Sequence, residues 1–252
     1  MANPVLERQF GDQAAADATL QAGAPKPSGM ADGQRMTIGS VLFATGVLLI
    51  LVAAGAAFGW ANAVAVQRWY WLLFIGLLVL VFLTVSKPQI APLTGAVYSM
   101  AQGAFVGSIS RVYEEFYDGI VFLALIATLS VFVAMLFLYA TRIIKVTEKT
   151  RSVIIIATVG IGLLYLVSFI LSLFSVNVPL ITGSSTTALV FSIFVVIAAA
   201  LNLLLDFQVI ESGISQGAPK VFSWFAAFGL MVTIVWLYIE MLRLLAIVAS
   251  RR

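Results

Sequence analysis

The sequence predicts an all-α polytopic membrane protein, and three observations carry that prediction. Hydrophobic residues make up 62% of the 252 residues and charged residues only 10%, where a soluble domain carries about a quarter charged. The mean hydropathy is +1.09. Seven apolar stretches follow one another, each near the ~20 residues that a helix needs to cross a bilayer. Lipid offers no partner for a free backbone N–H or C=O, so those stretches are expected as helices.

Residues 1–35 precede the apolar region and are rich in Ala, Gly, Pro and polar residues, as in AAADATLQAGAPKPSGMADGQ. They lack apolar periodicity and are expected as a disordered cytoplasmic tail. No signal peptide is expected, because the leader is acidic as well as basic and the apolar run begins late. Residues 36–252 are expected as a seven-helix transmembrane domain.

The spans are placed near 37–59, 69–86, 90–111, 119–141, 153–174, 184–206 and 221–248. Trp69, Tyr70 and Trp71 form an interfacial aromatic cluster at the start of the second. In the third, Gly95, Ser99, Gly103 and Gly107 recur every four residues, a spacing that lets two helix backbones approach closely. Gln102 lies beside that face.

Basic residues set the expected orientation. The tail and the second, fourth and sixth connections hold Arg8, Lys26, Arg35, Lys87, Arg142, Lys145, Lys149, Arg151 and Lys220. The other side holds Arg68, Arg111, Arg251 and Arg252, with Arg243 near the end of the last span. Nine against five places the amino terminus in the cytoplasm and the carboxyl terminus outside.

Cysteine and histidine are both absent. That removes thiol chemistry, the commonest general base and the usual transition-metal ligands. A histidine-dependent serine protease is excluded, an intramembrane aspartyl protease lacks a second aspartate near a span, and no Gly-rich phosphate loop is present. The sequence argues against an enzyme and implies no cofactor, with calcium possible only as a bound or transported ion.

Candidate functional residues concentrate between Leu201 and Arg243. Ionisable groups inside a membrane are costly and mark function by default. Asn202 and Asp206 stand one turn apart on the sixth span and offer three oxygens of the type hard cations prefer, which makes Asp206 the candidate metal contact. Glu211 follows in the next connection. On the seventh span Thr233 and Glu240 share a face, and Arg243 is placed to pair with Glu240. The rise of a helix separates Asp206 from Glu240 by roughly 20 Å in depth, and Thr233 lies nearer to Asp206. Without histidine, any response to pH near neutrality must come from carboxylates. Glu114, Glu115 and Asp118, in the outer connection RVYEEFYDG, are expected as a solvated loop.

DFQVIESGISQGAPKVFSWFAAFGLMVTIVWLYIEMLRLLA resembles the carboxyl-terminal signature of bacterial Bax inhibitor-1 (transmembrane Bax inhibitor motif) proteins, and YSMAQGAFVGSIS resembles their third-helix motif. The resemblance spans roughly residues 37–249. It implies a seven-helix fold with a central last helix, and a pH-sensitive calcium leak through the plasma membrane controlled by acids of the last two helices. Asp206 matches the sixth-helix aspartate. The second acid falls at Glu240 in one alignment and at Thr233 in another, and Gln102 replaces a glutamate. The alternative that the resemblance implies is a non-conducting regulator that binds another membrane protein, such as a membrane-bound protease.

Overall fold

In the computed structural model seven long helices follow the seven apolar stretches. The structure describes residues 35–144, 146–174, 176, 178–183 and 185–251. All but one residue of the expected tail lie outside these. The helices are α1 (Ile38–Ala61), α2 (Tyr70–Ser86), α3 (Ala91–Phe116), α4 (Ile120–Ala140), α5 (Glu148–Leu173), α6 (Thr186–Ser215) and α7 (Phe222–Ala249). Short helical turns at Ala63–Arg68, Pro88–Ile90 and Pro179–Thr182 connect them. No strand occurs among the described residues.

Local chemistry fixes the helix ends. Thr37 and Ser40 form a reciprocal capping box, with Ser40 N donating to Thr37 Oγ1 at 3.1 Å and Thr37 N to Ser40 Oγ at 2.9 Å. The Thr147 and Ser185 hydroxyls accept backbone N–H groups at the starts of α5 and α6. Gly119 enters α4 with φ of 76°, a left-handed conformation that a side chain would resist.

Length and composition support five or six of the seven expected spans. Five helices (α1, α4, α5, α6 and α7) are each long and apolar enough to cross a membrane. α2 and the segment Pro88–Phe116 qualify only as a pair bent by 115°, which gives up to six. Two physical causes act. At 17 residues, α2 extends about 25 Å, short of a hydrocarbon core of about 30 Å. α3 is diluted by glycines, serines and the charges at Arg111, Glu114 and Glu115. Pro88 cannot continue the ladder and breaks the pair, and the Thr84 and Thr94 hydroxyls join across the bend at 2.8 Å.

α7 is the most buried of the five, with half of its apolar window inside the protein. It packs against α6, α1, α4 and α3. Its core positions Leu230, Met231, Leu237 and Leu242 are almost completely enclosed. This helix fixes where the buried acids can stand.

α1 and α3 make the closest pairing. A Cβ placed on Gly103 would fall 2.2 Å from the Val52 carbonyl oxygen, and one on Gly107 would fall 2.0 Å from that of Ala56. The reverse also holds: Gly55 faces Met100 O at 2.3 Å and Gly59 faces Ala104 O at 2.0 Å. Both helices therefore present a Gly-xxx-Gly face, and backbone meets backbone.

The acids at the end of α3 are built into the fold. α3 runs through Phe116, so Glu114 and Glu115 are helical rather than in a loop. Glu114 accepts Gly119 N at 2.8 Å and Val121 N at 3.0 Å, capping α4, while Glu115 pairs with Arg111 at 3.0 Å. Glu114→Ala is expected to cost about 1 kcal/mol, the usual worth of a helix cap, readable as a lowered midpoint in thermal unfolding.

Candidate functional site

The candidate residues between Leu201 and Arg243 separate into three groups. α6 continues to Ser215, nine residues past the end of the apolar run, because hydrogen bonding outlasts hydropathy there. Asp206 consequently stands well inside a helix and Glu211 is helical too.

The first group is Asp206 with Thr233. Carboxylate oxygen Oδ2 is out of solvent and has no hydrogen-bond partner among the described residues. The side chain faces α7 at Thr233 and Gly229. A Cβ on Gly229 would stand 3.5 Å from Asp206 Oδ1, so the glycine leaves room for the carboxylate. Thr233, itself buried, donates to the Gly229 carbonyl at 3.2 Å. No basic side chain pairs with Asp206 among the described residues.

Asn202 does not join this group. Its Nδ2 donates to Thr158 Oγ1 on α5 at 2.7 Å and to the Ala198 carbonyl at 2.8 Å. The shared face on α6 placed Asn202 beside Asp206, but the side chain turns to satisfy a neighbouring helix. Gln102 is half-buried on α3 and makes no side-chain hydrogen bond among the described residues.

The second group is a polar knot around Glu240, in which Glu240 Oε2 and Arg243 Nε are buried without a hydrogen-bond partner among the described residues. Tyr165, on α5, donates to Glu240 Oε1 at 2.6 Å and accepts from Arg243 Nη1 at 2.6 Å. Arg243 Nη1 also lies 3.6 Å from Glu240 Oε2, and Nη2 donates to the Leu180 carbonyl at 2.9 Å. The guanidinium rests over the rings of Tyr165 and Phe191, 5.9 and 5.5 Å from their centroids. Side chains of the pair are only 11% and 4% exposed. Tyr165 and the Leu180 carbonyl supply part of the hydrogen bonding that water would give so buried a pair, and the charges compensate each other.

The third group lies at the end of the bundle that holds Ile38, Ala140 and Ser215. Glu211 accepts from Tyr139 and from Arg142 Nη2, the latter at 3.2 Å. Both members of this ion pair are largely exposed, at 78% and 55%. Glu211 is thus engaged by α4 and does not assist Asp206.

Asp206 and Glu240 therefore do not meet. Among the described residues no three acidic side chains cluster as a resident metal ion would require. Any cation at Asp206 would complete its shell with water, the Thr233 hydroxyl and backbone carbonyls.

Sequence reasoning missed Tyr165 and Tyr139. A tyrosine inside an apolar span has a hydroxyl that needs a partner, and GLLYLVSF carries one in the middle of the fifth. Gly55 and Gly59, the counterpart of the α3 glycines, were equally readable at their four-residue spacing.

The geometry defines a multi-pass helical membrane protein with separated intramembrane acids on its last two helices. The family model described as Bax inhibitor 1 like matches residues 3–250, and the chain belongs to that family. No curated protein and no solved structure shows significant similarity to it.

Proposed function

We propose that this protein is a pH-sensitive cation leak channel of the plasma membrane, with calcium the ion and no enzymatic activity. In this reading all seven long helices traverse the bilayer, α2 by thinning it locally. The amino terminus is cytoplasmic and the carboxyl terminus outside. The observation that carries the proposal is the unpartnered buried oxygen of Asp206. Leaving a carboxylate oxygen without a donor inside a membrane helix is costly. A cation or proton exchanging at that site repays it. Thr233 takes the facing position on α7 that a second acid could otherwise hold.

Glu240 and Arg243 form a separate station, bridged here by Tyr165. Reconstituted into liposomes, the protein is expected to admit calcium in a pH-dependent manner. Asp206→Asn should lower that flux about tenfold, the equivalent of ~1.4 kcal/mol at the site, and flatten its pH profile. Unchanged flux and an unchanged profile in Asp206→Asn would sink the reading. The closed state of both the Glu240 and Glu211 groups favours one alternative, a non-conducting regulator that binds another membrane protein such as a membrane-bound protease. Full-length protein that passes no calcium at any pH would select it.

A further inference from the structure

We propose that the cleft between α1 and α4 binds one zwitterionic glycerophospholipid. Its headgroup lies on the Arg142–Glu211 pair and one acyl chain runs along the cleft. α1 and α4 lean on α7 from two sides and leave a gap between them. Two cavities of about 760 and 850 Å³ occupy that gap and share Leu42, Thr45 and Phe132 as walls, so they form one groove. Along α1 the groove runs from Ile38 to Trp60, about 33 Å at 1.5 Å per residue. That length holds a headgroup region and one extended chain.

The two ends differ in chemistry. The deeper part is walled by aliphatic side chains such as Leu49, Ala56 and Leu125. The opposite end presents Tyr139, Arg142, Gln208 and Glu211. Arg142 and Glu211 stand 3.2 Å apart and largely exposed, a positive and a negative charge side by side. A phosphate next to an ammonium matches that pair charge for charge. An anionic headgroup would satisfy Arg142 and meet Glu211 with like charge.

Thr45 lines both cavities and marks where they join. Its hydroxyl and that of Thr128 have no surface open to the groove, so neither bonds the lipid, and the headgroup pair alone sets the polar end.

Native mass spectrometry of the full-length, delipidated protein tests this with added phosphatidylethanolamine and phosphatidylglycerol of matched chains. One phosphatidylethanolamine should be retained in preference to phosphatidylglycerol. Gly46→Leu projects into the groove from a position where a Cβ meets nothing within 4 Å. It should lower retention tenfold or more while the thermal midpoint is kept. Arg142→Gln with Glu211→Gln should abolish the headgroup preference. Equal retention of both lipids, or wild-type retention by Gly46→Leu, overturns the proposal.

Discussion

Arg243→Met is expected to be among the most damaging single substitutions in this protein. It leaves the Glu240 carboxylate buried with the Tyr165 hydroxyl and the Trp236 side chain beside it but no cation. Removing one partner of a buried pair typically costs about 3–5 kcal/mol, because the remaining charge is left without compensation. For a domain of this size that corresponds to a fall of roughly 10 °C in the unfolding midpoint. Pairing it with Glu240→Gln removes the stranded charge and should restore most of the loss. Differential scanning fluorimetry of the two variants in one detergent reads both effects. A single variant within a degree of wild type would show that the knot holds nothing together. The knot matters because it is the polar tie from α5 to α7. α5 is the least buried of the five apolar helices, with 11% of its window inside the protein, and has little packing to replace the tie.

Gly107→Val should be comparably harmful, for a steric reason. A Cβ at Gly107 would stand 2.0 Å from the Ala56 carbonyl oxygen, and backbone cannot give way as a flexible side chain can. α1 and α3 must separate, and the loss spreads along the Gly55–Gly59 and Gly103–Gly107 faces. Overpacking of this kind costs about 1–3 kcal/mol or more. Gly46→Ala and Gly160→Ala are the controls, since a Cβ at either meets nothing within 4 Å. Relieving a helix of glycine there should be neutral or stabilising by up to about 1 kcal/mol. A Gly107 variant as stable as these controls would contradict the packing.

The apolar runs made the helices legible, because backbone in lipid must bond to itself and hydropathy reports that demand directly. Hydropathy ends where lipid ends, though, and hydrogen bonding does not. Glu211 at the extended end of α6 and Glu114 at that of α3 were therefore read as connection residues although they are helical. Seven stretches likewise read as seven spans, whereas α2 and α3 qualify as crossing segments only as a bent pair. Length and dilution by small residues decide that point.

At the candidate site, spacing along one helix put Asn202 with Asp206 and Arg243 with Glu240. Arg243 does pair with Glu240, since three residues bring two side chains to one face of the same helix. Asn202 turns to Thr158, because a carboxamide inside a membrane takes whichever partner a neighbouring helix offers.

Composition and periodicity by themselves determined the class of this protein and where its helices run. Those are properties of the chain against its solvent. Tertiary structure alone decided which polar side chains meet. Tyr165 closes Glu240 and Arg243, Tyr139 and Arg142 hold Glu211, and Asp206 faces Thr233 with an oxygen left over. Each of those outcomes depends on which helix stands opposite, and helix neighbours are set by packing across the whole bundle.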